Sequence, residues 1–512
     1  MRLLLTAIGC LAIATGCGGT VKHADGHDGG LEPPGDACPA GACCDASCET
    51  QCTSAEARSS ETLLSDAGQS CGDGGVSDGE GGCATAACLA QVKAAGPENQ
   101  DSEGVAVDSQ GNILVVGEFY DTLDIGCGPL VSAGLTDAFV AKLDSSGACL
   151  WQKGAGDGTF QRAEGVAVDH TGNVLVTGDF RGTLDFGCGA LTTTANDDAF
   201  IVKLDPSGNC LWQRRGAAND DSFLQLVRIA ADPDGNVLLA GSFEGSIGLG
   251  CNPIAASTLG DAVVAKLDPA GNCLWLRTGH WADGKGLATD GAGNVLVAGD
   301  FYSSLDLGCG SIETETYYDG FVAKLDASGA CVWVKKLGGD ADMQGVSALA
   351  ADAEGNVLVG GHAGGNVDLG CGPVSSPSPW HAFAAKLDAA GSCVWSKAAG
   401  DGSDQEVMAI AVDGAGNALL AGRLDGTLDF GCGPITAAFD YGPFLVKLDA
   451  TGGCLWEKQW GGDSGEKVAT GLAVDPSGNA VVAGSFRGSL DLGCGLLCSD
   501  GERDSYVVKL AP

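Results

Sequence analysis

Cysteine is the most regularly spaced reactive residue in this chain. Six pairs of cysteines recur, and the two members of each pair lie 22 positions apart: Cys127/Cys149, Cys188/Cys210, Cys251/Cys273, Cys309/Cys331, Cys371/Cys393 and Cys432/Cys454. Thiols arranged in this way form disulfides in an oxidising compartment. The constant interval predicts one disulfide within each copy of a repeated unit.

Two further cysteines extend the series at its ends. Cys494 has no cysteine 22 positions after it, and Cys88 stands at the corresponding place before the first pair. We therefore expect a bond between Cys88 and Cys494. A second pairing uses the same cysteines: it joins Cys88 to Cys127, Cys149 to Cys188 and so on, at intervals of 36 to 41. Spacing alone leaves both pairings open.

An aspartate recurs in every repeat within an Asp-x-x-Gly-Asn sequence. Carboxylates spaced along a loop bind calcium, but only Asp232-Pro233-Asp234 places two acids at that spacing. Aspartate also caps tight turns, and glycine accepts the positive φ that such turns need. We interpret the series as turn residues and predict no cofactor and no metal site, with calcium as the alternative: Asp108, Asp169, Asp232, Asp290, Asp352, Asp413 and Asp475.

Lysine and tryptophan recur in the apolar stretches between these turns. We predict that each lysine pairs with the acid of the Thr-Leu-Asp-Phe-Gly element of its own repeat, as Lys203 would with Asp185. A large ring that recurs once per repeat is suited to filling the space between neighbouring units. We therefore expect tryptophans such as Trp212 to be packing residues.

The repeat that carries these residues predicts the fold. Four apolar stretches of four to eight residues, rich in Val, Leu and Phe and bounded by glycine turns, are typical of strands. The last copy lacks its fourth stretch, and Cys88-Leu89-Ala90-Gln91 supplies it from the beginning of the repeats. The sequence predicts an all-β, seven-bladed β-propeller of four-stranded antiparallel blades, closed by an N-terminal strand. The turn glycines lie about 60 residues apart: Gly111, Gly172, Gly235, Gly293, Gly355, Gly416 and Gly478.

A ligand site in such a ring is expected where the fourth strand of one blade connects to the first strand of the next. These connections are acidic, which suits either a solvated rim or a site for a cation or a basic peptide. The candidate binding rim consists of Asp157, Arg162, Asp220, Asp221, His280, Trp281, Asp283, Asp340, Asp342, Asp401, Asp404 and Asp463.

The charge and the motifs narrow the functional classes. A formal net charge of -39 repels phosphate backbones, so nucleic acid is not an expected partner. The chain has six histidines, spread over three copies and the N-terminal region, and its repeats contain neither a Gly-x-Ser-x-Gly nor a His-Glu-x-x-His motif. We assign no catalytic residue. An enzyme or a cation-binding protein that uses the central channel remains an alternative.

The N-terminal residues predict export. Arg2 is followed by an apolar stretch from Leu3 to Ala14, and small residues precede Cys17. This resembles the lipobox of bacterial lipoproteins, which implies a lipid on Cys17. The expected divisions are a signal peptide over 1-16, a disordered linker rich in Gly, Asp, Ser and Cys over 17-82, and a propeller over 83-512.

The recurring VAVDxxGNVLVTGxF, GTLDFGCG and DAFVAKLDxxGxCLW elements resemble the SBBP family of bacterial β-propeller repeats over residues 97-512. The resemblance implies a secreted or surface protein without an assigned activity. The KLDxxGxCLW element is also similar to a strand of quinone-dependent dehydrogenases, which we attribute to blade packing. We expect a monomeric, non-catalytic binding or scaffold module, held in the outer membrane by its lipid in the periplasm or at the cell surface. Its expected ligand is a protein, peptide or glycan; the alternative is a purely structural envelope protein.

Overall fold

The computed structural model describes residues 87-512 except 194-196, 217-222, 257-259, 315-317, 339-343, 369, 376-379, 402, 438-440 and 464. The described residues form seven four-stranded antiparallel sheets and contain no helix. None of them therefore belongs to a helix long and apolar enough to cross a membrane. The predicted seven-bladed β-propeller is confirmed. The signal peptide and Cys17 lie outside the described residues, and the boundaries at residues 16 and 82 stay predictions.

Each blade has a first, second, third and fourth strand, counted from the central channel outwards. The first strands are Gln100–Val107, Gln161–Val168, Phe223–Ala231, Ala282–Thr289, Gln344–Ala351, Gln405–Val412 and Lys467–Val474. The second strands are Ile113–Leu123, Val174–Phe180, Val237–Glu244, Val295–Phe301, Val357–Ala363, Ala418–Leu424 and Ala480–Phe486.

The third strands are Leu130–Leu143, Asp198–Leu204, Asp261–Leu267, Asp319–Leu325, His381–Leu387, Gly442–Leu448 and Asp504–Leu510. The fourth strands are Cys149–Ala155, Cys210–Arg215, Cys273–His280, Cys331–Leu337, Cys393–Ala399, Cys454–Gln459 and, in the seventh blade, Cys88–Ala94. The second and third strands are buried along almost their whole length because both faces of each sheet pack against a neighbouring blade, except that the third strand of blade 1 begins with six residues that are exposed or half-buried.

Small hairpins extend the connection between the second and third strands of six blades. In blades 1 to 6, a disulfide joins the connection between the second and third strands to the fourth strand at the constant interval of 22 residues, with Cα atoms 5.3–5.6 Å apart. The hairpin strands are Thr183–Leu184 with Leu191–Thr192, Ser246–Ile247 with Ile254–Ala255, Ser304–Leu305 with Ile312–Glu313, Asn366–Val367 with Val374–Ser375, Thr427–Leu428 with Ile435–Thr436, and Ser489–Asp491 with Leu496–Cys498.

The two ends of the described chain close the ring. Strand Cys88–Ala94 pairs antiparallel with Asp504–Leu510, and a disulfide joins Cys88 to Cys494 across 406 residues. Seven disulfides between described residues therefore follow the constant interval and its ring-closing continuation. The alternative pairing of Cys88 with Cys127 does not occur.

The recurring aspartates are turn residues, but their lysine partners differ from the prediction. Asp169 accepts backbone N–H groups of Thr171 and Asn173 at 2.9 and 3.0 Å, and its other oxygen lies 2.9 Å from Nζ of Lys203. Asp185, the predicted partner, instead accepts N–H groups within its own loop. The prediction was wrong because the lysine in the third strand lies beside the turn between the first and second strands. The same pairing occurs in every blade: Lys142–Asp108, Lys266–Asp232, Lys324–Asp290, Lys386–Asp352, Lys447–Asp413 and Lys509–Asp475.

Tryptophans join successive blades, as expected of packing residues. Nε1 of Trp275 donates a hydrogen bond of 3.1 Å to the carbonyl of Ala327 in the next blade, and Nζ of Lys266 donates to the same oxygen at 3.3 Å. The indole ring also lies against Gly329, whose φ of +79° suits glycine. A carbonyl in one blade thus accepts both recurring side chains of its neighbour.

Replacing Gly329 with alanine is expected to destabilise the fold by crowding the Trp275 ring. A Cβ there would lie 2.8 Å from the Trp275 ring, whereas a Cβ on Gly293 in the same blade, with a φ of +76°, meets nothing within 4 Å. Both variants carry the cost of a left-handed backbone, and only Gly329→Ala crowds the ring. In urea unfolding, Gly329→Ala should lose about 1–3 kcal/mol more than Gly293→Ala. Equal losses would mean that the ring moves aside freely.

Candidate functional site: the upper mouth of the central channel

The seven first strands surround a central channel. Neighbouring first strands contact one another, and the seventh contacts the first, so the ring is closed. The channel encloses about 190 Å³ and is lined by residues from all seven blades.

The first strands all begin at the same end of the channel, which we call the upper mouth. We define the upper mouth by seven cross-strand residue pairs, one in each blade, at the same register. The first residue of each pair lies on the first strand and the second on the second strand. The copies resemble one another elsewhere, but these pairs differ in charge from blade to blade. The pairs are Asp101/Glu118, Arg162/Asp179, Gln225/Ser242, Asp283/Asp300, Gly345/His362, Glu406/Arg423 and Val468/Ser485.

An acidic cluster occupies the mouth between blades 1 and 3. It consists of Glu103, Glu118, Glu164 and Asp179, grouped around Arg162. The Arg162 guanidinium lies 2.5 Å from a Glu164 oxygen and 3.2 Å from an Asp179 oxygen. Carboxyl groups outnumber the guanidinium here, so the cluster has an excess of acid.

Burial dominates the protonation of this cluster. It raises the pKa of Glu118 to about 8, and the carboxyl groups of Glu103 and Asp101 act in the same direction although Arg162 opposes them. Burial also raises the pKa of Glu103, Glu164 and Asp179. At neutral pH, Glu118 therefore carries a proton in the free protein.

The mouth differs in blades 4 to 6, where charges are paired. Nζ of Lys285 contacts a carboxylate oxygen of Asp300. Glu406 accepts a hydrogen bond of 2.5 Å from the Ser347 hydroxyl and lies 3.2 Å from both His362 and Arg423. Burial opposes ionisation of Glu406, but these partners outweigh it and lower its pKa to about 2.

Aromatic side chains stand beside this paired region. Tyr318, Trp380 and Tyr441 directly precede the third strands of blades 4, 5 and 6. The Tyr318 ring lies 5.5 Å from that of Tyr302, and the Arg423 guanidinium lies 5.3 Å from the Tyr441 ring. Such rings offer flat apolar surface for a ligand. Neither these aromatic residues nor the acidic cluster was predicted, although variation among copies at one strand position was a visible signal.

Three acids of the predicted rim shape loops. Asp157 accepts N–H groups of Thr159 at 2.9 Å and of Thr183 at 2.6 Å. Asp401 similarly accepts the N–H of Thr427 at 2.8 Å, and Asp463 that of Ser489 at 2.6 Å. These carboxylates hold the inter-blade connection against the hairpin of the following blade.

The remaining rim residues separate into three groups. Arg162, Asp283 and Asp404 lie at the upper mouth, where Asp404 is 3.2 Å from Arg423. His280 is largely exposed and pairs with Asp261 at 2.9 Å, and the backbone N–H of Trp281 donates to the same carboxylate at 3.1 Å. Four predicted residues lie outside the described part of the chain: Asp220, Asp221, Asp340 and Asp342.

One group of potential metal ligands lies away from the mouth, among the described residues. It comprises Cys432, Cys454 and Glu457, but the two cysteines are joined in a disulfide and are not thiolates. Glu457 accepts N–H groups of Phe430 at 2.6 Å and of Cys432 at 3.4 Å. Burial raises its pKa to about 7 despite these hydrogen bonds.

Replacing Glu457 with glutamine is expected to raise the melting temperature more at pH 8 than at pH 5. The raised pKa means that the folded state binds a proton more tightly than the unfolded state. Stability is therefore lost as the pH rises from the unfolded value of about 4.3 through about 7. Glutamine removes this loss and can donate to a loop carbonyl, as Gln91 does to Gly495 at 3.1 Å in blade 7. A pH-independent gain would contradict the buried carboxyl as its cause.

Comparisons with known proteins add context. No family model matches the chain. The uncharacterised WD repeat-containing protein L264 of Acanthamoeba polyphaga mimivirus is 20% identical over 523 aligned positions, which cover 80% of this chain and 37% of that protein. The chain thus spans little more than a third of the length of this curated relative.

Solved structures with similar architecture include several propellers. The WD40 β-propeller domain of Doa1 is 11% identical, with 84% of this chain and 97% of that chain covered and a TM-score of 0.44. Sqt1 from Chaetomium thermophilum is 12% identical, with 84% and 99% covered and a TM-score of 0.43. Streptogramin B lyase is 10% identical, with 82% and 97% covered and a TM-score of 0.42. At this level of similarity these proteins bear on neither the ligand nor the activity of this chain.

Proposed function

We propose that this protein is an exported, non-catalytic binding module whose ligand docks at the upper mouth of the channel. One observation carries the proposal. The copies repeat the same turn, lysine and tryptophan contacts, whereas the mouth pairs change in charge from blade to blade. A shared scaffold that presents different side chains at one end is the arrangement expected of a recognition surface.

The setting of this module is part of the same proposal. Seven disulfides are typical of proteins that fold in an oxidising compartment. The likeness of residues 1-17 to a lipoprotein leader supports a lipid anchor on Cys17 in the bacterial envelope, and the SBBP-like repeats support display in the periplasm or at the surface. The mass of the mature N-terminus tests this setting, because an unmodified Cys17 would contradict the anchor.

Photo-crosslinking in the native host tests the binding site. Benzoylphenylalanine replaces Tyr302 beside the mouth in one variant and Leu150 on the outer edge in the other. These side chains are 47% and 51% exposed, so the probes are equally accessible. We expect a discrete crosslinked species from position 302 and none from position 150. The same products from both positions, or none from either, would contradict a ligand site at the mouth.

A further inference from the structure

The acidic cluster contains more carboxyl groups than its cations can neutralise. Glu103, Glu118, Glu164 and Asp179 share the guanidinium groups of Arg162 and Arg228, whereas Asp101 at the edge of the cluster has its own ion pair with Arg503 at 3.3 Å. Arg228 is partly buried, and its guanidinium donates to the carbonyl of Val227 at 2.9 Å. The site as a whole therefore favours an additional positive charge.

Glu164 supplies the second, independent observation. Its side chain is 9% exposed, and the residue lines the channel. One carboxylate oxygen accepts from Arg162 at 2.5 Å and from Gln225 at 2.8 Å. The other oxygen is buried and has no hydrogen-bond partner among the described residues. A buried oxygen without a partner is costly, so this oxygen favours a hydrogen-bond donor from outside the chain.

The wall formed by blades 5 to 7 is neutral at this register. Ser347, Met408 and Thr470 line it at the same strand register as Glu103 and Glu164, and Lys285 of blade 4, which also lies at this register, is paired with Asp300. Apolar residues such as Ile410 and Leu472 continue the lining. A ligand group that enters here meets carboxyl groups on one side and apolar atoms on the other.

The geometry favours an organic cation over a metal ion. In the described chain, Glu103, Glu118 and Glu164 do not bring one oxygen each within 4.8 Å of one another. Calcium requires six to eight oxygen ligands at about 2.3–2.6 Å. An ammonium group on an aliphatic stem fits a one-sided acidic wall better, because lysine places its stem along apolar surface and its charge among acceptors.

We propose that the channel binds the ammonium group of a lysine side chain from a basic peptide segment, with Glu164 and Glu103 as its carboxylate partners and Met408 beside its stem. This inference rests on the proposed function, because it identifies the ligand class of the same mouth. The formal net charge of -39 would attract such a segment over long distances.

Proton release should accompany binding. Glu118 faces Arg162, Glu103, Asp101 and Asp179, and burial keeps its pKa raised in the free protein. A cation that enters the cluster favours the ionised carboxylate and lowers that pKa. Binding should therefore strengthen between pH 6 and pH 9, a range over which the lysine itself stays charged.

Isothermal titration of the folded, disulfide-bonded protein provides the test. The probe is a blocked glycine- and serine-rich heptapeptide with one central lysine, and its controls are the same peptide with norleucine and free spermidine. We expect the lysine peptide alone to bind well. Glu164→Gln and Glu103→Gln should each weaken it at least tenfold. Glu354→Gln, the same change at an exposed position in the turn of blade 5, should alter affinity less than twofold.

Several outcomes would overturn the inference. The inference fails if the affinity is unchanged in both glutamine variants or if the norleucine peptide binds equally well. It also fails if spermidine binds more tightly than the lysine peptide, or if equimolar calcium displaces that peptide. If position 302 still gives its discrete crosslink in Glu164→Gln, the lysine inference fails while the binding function stands. If position 302 gives no crosslink even when the channel residues are unsubstituted, both the lysine inference and the proposed binding function fail.

Discussion

Replacing Lys203 with methionine is expected to lower the free energy of unfolding by about 3–5 kcal/mol. Lys203 and Asp169 form a buried ion pair in which the side chains are 5% and 2% exposed. Methionine keeps most of the volume but leaves the Asp169 carboxylate without its cation, and breaking a buried pair in this way costs about that much. Urea unfolding at pH 7 measures the loss.

A second substitution and the pH dependence identify the cause. Burial opposes ionisation of Asp169, but hydrogen bonds from Lys203, Asn173 and Thr171 hold its pKa well below the usual value. This stability is present above the unfolded pKa of about 3.9 and is lost as the pH falls through the folded value. The deficit of Lys203→Met should therefore shrink below about pH 4, and Asp169→Asn in the same chain should recover part of it. A deficit that is unchanged by either would indicate lost packing instead.

Removing the ring-closing disulfide with Cys88→Ser and Cys494→Ser is expected to destabilise the propeller more than removing any disulfide within a blade. Loop-closure entropy gives about 6 kcal/mol for its separation of 406 residues and about 3 kcal/mol for one of 22. The closing strand Cys88–Ala94 also makes fewer side-chain contacts than other fourth strands, because Ala90 stands where the other blades have tryptophan. Thermal unfolding without reductant measures both effects.

The matched control is Cys309→Ser with Cys331→Ser in blade 4. It also removes two cysteines and one disulfide, but that disulfide closes a loop of only 22 residues. Limited proteolysis adds a local readout. Cleavage near residues 88-95 should increase only in the ring-opened variant, because only there is the outermost strand untied. Equal loss of melting temperature in the two double variants would show that ring closure contributes nothing beyond a local crosslink.

The repeat period made the scaffold predictable. Each copy contains the same turns and apolar stretches, so the number of blades and the closing strand Cys88–Ala94 follow from counting, whereas the spacing of the cysteines left two pairings open. The side-chain contacts between strands and turns could not be predicted from the repeat period. Lys203 shares its repeat with both Asp169 and Asp185, and only the antiparallel order of the strands determines which one it reaches.

The proposed binding surface was less predictable than the scaffold. The loops attracted attention because they differ most between copies, yet Asp157 and Asp401 use their carboxylates to order those loops. Glu118 and Glu164 lie within strands, where an isolated polar residue reads as an ordinary solvent-facing position. Their significance depends on which blades they face, and this is a property of the closed ring.

The closing strand also determines how the molecule responds to mechanical force. The chain enters the propeller through Cys88–Ala94, which is the outermost strand of the last blade. A pull on the preceding segment therefore acts first on the rim, far from the channel. The bond from Cys88 to Cys494 transfers that tension to the hairpin Ser489–Asp491 and Leu496–Cys498 before the strand can peel away. If the proposed lipid anchor holds the chain by its N-terminus, we expect such tension to leave the shape of the mouth unchanged.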